Sequence, residues 1–87
     1  MSQVVVKITQ AAFSPDPVII HPGDLIVWTN QSGNPQDATS TDGGVTFQTG
    51  PLPAGATSLP ITFSNPSLGI PYASTRSAVL RGKVIVK

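Results

Sequence analysis

Apolar residues alternate with polar ones over short stretches of this chain, and glycine or proline separates most stretches from the next. Nine prolines and eight glycines among 87 residues leave few gaps that could hold a three-turn helix. The stretches with the β-branched or alternating composition of strands are residues 4–9, 18–21, 25–30, 37–41, 57–63, 70–74 and 82–87. The pattern therefore predicts an all-β chain.

Two prolines refine that prediction. Pro22-Gly23 is typical of a type II turn, because proline fixes φ at the second position and glycine supplies a positive φ at the third. Pro60 lacks the N–H that a strand ladder needs, so the strand at residues 57–63 is expected at a sheet edge or at a bulge. Short strands with frequent turns predict a Greek-key β-sandwich, in one domain spanning residues 1–87.

Burial with a period of two on one face of each strand predicts the core. The expected core residues are Val4, Val6, Ile8, Phe13, Val18, Ile20, Leu25, Val27, Phe47, Leu52, Ile61, Phe63, Tyr72, Val84 and Val86. Trp28 alternates with Val27, and we interpret it as a packing residue at one end of the core or under a loop. A role in stacking on a ligand is the alternative.

Composition excludes several classes of function. The net charge is +1, and nothing resembles the basic stripe of a nucleic-acid-binding protein or a polybasic membrane surface. No apolar run is long enough for a transmembrane helix, and the first residues lack the pattern of a signal peptide. The absence of cysteine removes disulfides and thiolate chemistry. We expect a monomer that binds neither nucleic acid nor membrane.

Several short motifs follow one another in a recognisable order. They are Phe13-Ser14-Pro15, Pro22-Gly23-Asp24, Val27-Trp28-Thr29-Asn30, Phe47-Gln48-Thr49-Gly50, Leu52-Pro53-Ala54-Gly55 and Thr62-Phe63, with Tyr72 and Gly82 near the end. In this order and spacing the chain resembles the cupredoxins, small blue copper proteins of the plastocyanin and pseudoazurin type. The resemblance covers almost the whole chain. It implies a cupredoxin-like Greek-key β-sandwich and a periplasmic or secreted location.

The departures from the cupredoxin pattern fall on its copper ligands. The family carries Tyr-x-Cys-x-x-His-x-x-Met-x-Gly where this chain has residues 72–82, so Ser74, Ser77 and Leu80 stand at three ligand positions. Gln36 stands where the family has its other ligand histidine, after Pro35. A blue copper site needs two imidazoles, a thiolate and a weak axial ligand. We therefore expect no metal and no cofactor here, although the family cofactor is copper.

The exchanges at the ligand positions roughly conserve side-chain volume, so the scaffold is expected to survive them. Two origins are open: a natural paralogue that lost copper, or a cupredoxin engineered by removal of its ligands. The near-isosteric choices favour the second. The expected function is a metal-free scaffold or binding module without redox activity. One alternative is a blue copper electron-transfer protein, as the resemblance implies, with its ligands at other positions.

The other alternative is a protein-binding or adhesive domain that uses the apolar loop end of the sandwich. The candidate contact residues are Pro35, Ile70, Pro71, Ala78 and Val79. Whether Leu80 joins that surface or fills the emptied metal site is open at this stage, and we favour filling. Arg76, Arg81 and Lys83 near the same loop are either solvated charges or a small docking patch for an anionic partner.

An enzyme is not expected. His21 is the only histidine, and we interpret it as a solvated residue at a strand end. Asp37 and Asp42 lie in one loop, where paired carboxylates for glycoside cleavage are the alternative to simple turn caps. We favour the turn caps.

Overall fold

The computed structural model describes residues 2–87, and within them it contains eight β-strands and no helix. The strands are β1 (Gln3–Ile8), β2 (Phe13–Ser14), β3 (Val18–Ile20), β4 (Asp24–Asn30), β5 (Thr39–Ser40), β6 (Ile61–Phe63), β7 (Ser67–Ser74) and β8 (Ser77–Val86). The predicted all-β class is confirmed. Nothing in residues 2–87 forms a helix of the length and apolarity needed to span a bilayer.

The strands form two four-stranded sheets, with orders β2-β1-β4-β6 and β3-β8-β7-β5. The chain crosses repeatedly from one sheet to the other, and these crossings place β1 parallel to β4 and β3 parallel to β8. The remaining neighbours are antiparallel. The architecture is the predicted β-sandwich, built from two mixed sheets.

Both proline-based predictions are confirmed. Gly23 has a φ of 93°, and the Asp24 N–H donates to the His21 carbonyl at 3.0 Å, which closes the turn around Pro22. Pro60 directly precedes β6, and β6 is an edge strand. The predicted strand at residues 57–63 is shorter than expected, because only its last three residues join the ladder.

The core lies between the sheets and centres on aromatic rings. Trp28 stacks on Phe47 at 5.1 Å between ring centroids, and Tyr72 packs edge-on against Trp28 at 5.5 Å. The buried cluster comprises Val6, Ile8, Phe13, Val18, Ile20, Ile26, Trp28, Ala38, Phe47, Leu52, Phe63, Tyr72, Leu80, Val84 and Val86. Trp28 is thus a packing residue beneath the loop that carries Phe47, as one of our interpretations held.

The predicted phase of β4 is wrong. Ile26 and Trp28 belong to the core cluster, whereas Leu25 is only half-buried and Val27, which is buried as predicted, lies outside that cluster. Every residue of this stretch from Leu25 to Trp28 is apolar, so alternation alone does not fix which face turns inward. The bulk of the Trp28 ring decides it, since burying that ring removes the most apolar surface from water.

Glycine at position 82 makes room for the Tyr72 ring. The two residues are paired across β7 and β8, and a Cβ at Gly82 would lie 2.8 Å from Cζ and the hydroxyl oxygen of Tyr72. The Tyr72 hydroxyl is buried without a hydrogen-bond partner in residues 2–87, and burial raises the pKa of this phenol above its usual value. The ring is therefore fixed by packing and by the close approach of the strand opposite.

Gly82→Ala should destabilise the fold by about 2 kcal/mol, because the buried Tyr72 ring has no free space to move into. Gly69→Ala is the matched control: its Cβ also meets an atom at 2.8 Å, but that atom belongs to the exposed, flexible stem of Lys83. The control should change the free energy of unfolding by less than about 0.5 kcal/mol. Urea denaturation compares the two, and equal losses would contradict this explanation.

Candidate functional site at the β7–β8 hairpin

Residues 72–82 form part of a hairpin rather than the open loop that the sequence predicted. β7 ends at Ser74, β8 begins at Ser77, and only Thr75 and Arg76 connect them. The ladder pairs Ala73 with Arg81 and then Ser74 with Ser77, so residues 78–80 have no partner on β7. The strand bulges there. The loop expected from the sequence is thus reduced to a two-residue turn and a bulge of three residues.

The hairpin brings two of the four ligand-matching positions into contact. The Ser74 hydroxyl donates to Gln36 Oε1 at 2.7 Å, and both side chains are about 5% exposed. Gln36 is held from the other side, because its backbone exchanges two hydrogen bonds with Leu52, at 3.0 and 2.8 Å. A backbone bridge and a buried side-chain hydrogen bond therefore fix Gln36 against the end of β7.

Asp37 holds the hairpin turn. Its Oδ1 accepts hydrogen bonds from the backbone N–H and the hydroxyl of Thr75, both at 2.9 Å, and Oδ2 accepts one from the Thr39 hydroxyl. These contacts with Thr75 span 38 residues of chain. Sequence reasoning treated Asp37 as a turn cap. It missed that the turn being capped belongs to a distant hairpin, which no local pattern signals.

Asn30 orders the segment that leads to Gln36. Its side-chain amide donates to the carbonyls of Asn34 and Leu52, at 2.7 and 2.8 Å, and its carbonyl accepts from the backbone and the hydroxyl of Ser32. The Asn30 side chain is fully buried. Asn30 therefore has a structural role. Its amide nitrogen is inaccessible to N-glycosylation, although Asn30-Gln31-Ser32 matches the Asn-x-Ser pattern for that modification.

The other two ligand-matching positions differ from each other. Ser77 is half-buried, and its hydroxyl forms no hydrogen bond within residues 2–87. Leu80 is fully buried and belongs to the hydrophobic core. Within the bulge, the Leu80 side chain turns inward while Ala78 and Val79 remain exposed. The structure thus favours a filled site over an exposed Leu80.

The donor set does not fit copper. Gln36 and Ser74 offer hard, neutral oxygen atoms that already bond to each other, and Leu80 offers no donor. Blue copper requires imidazole nitrogen and thiolate sulfur. No group of three or more His, Cys, Asp or Glu side chains converges anywhere in residues 2–87. His21 lies outside this site: its side chain is 80% exposed, and Nδ1 lies 3.9 Å from Asp24 Oδ2.

The five residues expected to form one apolar contact surface do not all lie together. Pro35 is exposed beside Gln36, and Ala78 and Val79 are exposed on the bulge. Ile70 is half-buried against the core, and it is four residues from the end of β7, which is roughly 13 Å along the strand. The Pro71 carbonyl accepts from Thr41 at 3.0 Å, so Pro71 lies beside the loop after β5. Ile70 and Pro71 thus lie within β7, four and three residues before its end.

The two loop aspartates do not form a carboxylate pair. Asp42 accepts from the hydroxyls of Ser40 and Thr46 and from the backbone of Val45, while Asp37 bonds to the hairpin. The hydroxyls of Ser40 and Thr46 lower the pKa of Asp42 to about 2. A general acid for glycoside cleavage needs a raised pKa instead. Both carboxylates are turn caps.

Solved structures of amicyanin match the chain over nearly its full length. An oxidised methionine-to-leucine mutant of amicyanin has a TM-score of 0.84 at 22% identity and covers 97% of this chain and 81% of its own. A reduced tryptophan-to-tyrosine mutant gives 0.84 at 20%, covering 98% and 82%. A methionine-to-glutamine mutant with Cu(I) gives 0.84 at 21%, with the same coverage. No protein-family model and no curated protein matches the chain.

These comparisons establish the fold: the chain is an all-β, cupredoxin-like sandwich similar to amicyanin. The resemblance inferred from the order of the sequence motifs is thereby confirmed in structure. At identities of 20–22%, the similarity to these structures establishes the architecture of the chain but not its chemistry.

Ser74→Ala should destabilise the protein by about 1–2 kcal/mol, because it leaves the buried Gln36 Oε1 without its donor. Ser77→Ala is the matched control, since that serine stands at another ligand-matching position with no side-chain hydrogen bond in residues 2–87. It should cost less than about 0.5 kcal/mol. Chemical denaturation measures both. A Ser74→Ala variant as stable as its control would contradict the assigned hydrogen bond.

The lowered pKa of Asp42 predicts a loss of stability in acid. Its ionised form is favoured in the folded state, so the stabilisation is present above the ordinary pKa of 3.8 and is lost as the pH falls towards 2. Asp42→Asn should flatten the fall in melting temperature between pH 4 and about 2. Part of the fall in melting temperature should remain in this variant, because the pKa of Asp24 is also lowered. Parallel curves for parent and variant would show that Asp42 does not contribute.

Proposed function

We propose that this domain is a metal-free member of the cupredoxin-like structural class that acts as a binding module or scaffold, without redox or catalytic activity. The observation that carries the proposal is the buried hydrogen bond between Ser74 and Gln36. It uses the polar atoms at two ligand-matching positions to close the site. At a third ligand-matching position, the burial of Leu80 in the core supports the same conclusion.

The chemistry of these groups supports the absence of electron transfer. A serine hydroxyl stays protonated near neutral pH and does not replace a soft thiolate, and cysteine is missing from the whole chain. An amide oxygen does not replace imidazole nitrogen. The imidazole and thiolate ligands of a blue copper site therefore have no counterparts at Gln36, Ser74, Ser77 and Leu80.

Protein binding through the loop end is a second candidate function. The exposed bulge favours it: Val79 is 69% exposed and Ala78 lies beside it, with Pro35 exposed next to Gln36. Apolar side chains exposed on a small monomer commonly mark contact sites. We extend the proposal to an extracytoplasmic location, on the strength of the cupredoxin resemblance alone. Natural loss and engineered removal of the ligands both fit the proposal.

Titration with copper(II) should give the parent protein no thiolate-to-copper absorption band. Gln36→His, Ser74→Cys, Ser77→His and Leu80→Met combined should create a coloured site. At a copper concentration ~100 times the Kd, binding to the folded state alone should add about 2.7 kcal/mol of stability, which is roughly 15 °C in melting temperature.

The same variant with Ser74 retained is the control, because it has both imidazoles and the thioether but lacks the thiolate, and it should stay colourless. Copper bound by the parent at Gln36 and residues 74–80 would refute the metal-free proposal, because a chain without cysteine gives no thiolate band in either case. A folded quadruple variant that binds copper no better than the parent would refute the assignment of the ligand positions.

A further inference from the structure

The outer side of the β3-β8-β7-β5 sheet carries an uncovered basic and apolar surface. Along β8, Leu80, Val84 and Val86 point into the core, so the residues between them point outward. In the ladder, Ile19 of β3 is paired with Ile85, and Pro71 of β7 is paired with Lys83. We call this surface the β8 face, and it consists of Ile19, Pro71, Val79, Arg81, Lys83 and Ile85.

Two of the five lysines and arginines, Arg81 and Lys83, lie on this face, and Arg76 and Lys87 lie near its ends. Four of the five lysines and arginines lie in residues 76–87, whereas residues 2–75 hold one lysine and all four aspartates. None of those four cations forms an ion pair with an aspartate in residues 2–87, where the one ion pair joins His21 to Asp24. Asp16 borders the face, but its Oδ1 accepts the backbone N–H of Lys83 at 3.1 Å. Arg81 Nε donates to the Ala78 carbonyl at 3.4 Å, but no carboxylate pairs with Arg81 or Lys83 in residues 2–87.

Two shallow grooves meet on the β8 face. One, of about 390 Å³, runs past Pro17, Arg81 and Lys83, and the other, of about 430 Å³, runs past Leu68 and Lys87. Ile85 lines both. Leu68, which lines the second groove, is 98% exposed, and Ile19, which is paired with Ile85 in the ladder, is 53% exposed. The surface offers charge and apolar contact together.

We propose that the β8 face docks an acidic segment of a protein partner, with carboxylates at Arg81 and Lys83 and apolar side chains against Ile19 and Ile85. The proposal rests on the proposed function, because it supplies the metal-free domain with a partner class. Cations alternate with aliphatic side chains on this face. A segment in which carboxylates alternate with apolar groups is complementary to it.

A second copy of the chain, a nucleic acid and a membrane fit this face less well. A symmetric contact with a second copy would place Arg81 and Lys83 against the same cations, which repel. The face has no aromatic side chain on which a nucleobase could stack. Anionic membranes recruit clusters of ~4–8 basic residues, and this face has two with Lys87 and Arg76 near its ends. An acidic protein segment is the remaining fit.

The size of the face sets the expected strength. A ten-residue strand is about 33 Å long and four strands span roughly 15–20 Å, so the face offers about 500–600 Å². That is below the ~800 Å² per partner of stable complexes. Binding should therefore be weak, with a Kd of micromolar or above, and should weaken further as salt rises.

Binding of a fluorescein-labelled peptide in which glutamates alternate with valines, followed by anisotropy at low salt, tests the proposal. Arg81→Gln with Lys83→Gln should weaken binding about tenfold, since each exposed ion pair contributes a few-fold. Lys7→Gln with Arg76→Gln is the matched control. It also removes one lysine and one arginine but leaves the β8 face intact, and it should weaken binding less than about threefold. Amide shifts on binding should centre on residues 81–85.

Equal weakening by the two double variants would overturn the proposal, because it would mean that net charge alone drives binding. Shifts centred away from the β8 face would also overturn it, as would tighter binding to a single-stranded oligonucleotide or to phosphatidylserine vesicles than to the peptide. Thermal melting of both variants verifies folding. The metal-free proposal is judged by the copper titration, so the failure of one leaves the other standing.

Discussion

One buried hydrogen bond, from the Ser74 hydroxyl to Gln36 Oε1, connects the β7–β8 hairpin to the segment that precedes β5. The two residues are 38 positions apart, and neither side chain is open to water. Buried polar groups are costly unless they are paired, so each residue requires the other. The hydrogen bonds of Asp37 to the Thr75 turn strengthen the same junction. This end of the sandwich is thus closed by protein groups where copper cupredoxins use an ion.

The bulge in β8 links that closed end to the exposed surfaces. By leaving residues 78–80 unpaired, it lets Leu80 turn into the core and leaves Ala78 and Val79 in solvent. Beyond it the strand alternates regularly, so that Val84 is buried while Arg81 and Lys83 face outward. The strand β8 therefore places Leu80 in the core, exposes Ala78 and Val79 at the loop end, and carries Arg81 and Lys83 on its outer face.

Sequence reasoning reached the fold class because turn chemistry is local. Pro22-Gly23 specifies its turn by backbone geometry alone, and Pro60 excludes a central strand whatever surrounds it. It failed where the outcome depends on distant partners. The inward face of an all-apolar stretch in β4 is chosen by the packing of Trp28 against Phe47.

At the candidate site, too, local sequence patterns were predictive and contacts between distant residues were not. The motif order located Gln36 and Ser74, and the structure places them in contact. It did not reveal that Asp37 binds the hairpin turn across the fold. It also grouped Ile70 and Pro71 with Pro35, although both lie within β7, several residues before its end. Spatial grouping depends on strand register, which the chain fixes only when the ladder forms.

The central proposal is that the ligand-matching positions hold no metal, because Gln36 and Ser74 bind each other and Leu80 packs into the core. Adding copper(II) to ¹⁵N-labelled protein and following the loss of amide signals tests this most directly, since the paramagnetic ion broadens only nearby resonances. The account predicts no selective broadening of Gln36, Ser74 or Leu80, with any broadening confined to the surroundings of exposed His21. Broadening that begins at Gln36 and residues 74–80 would contradict it.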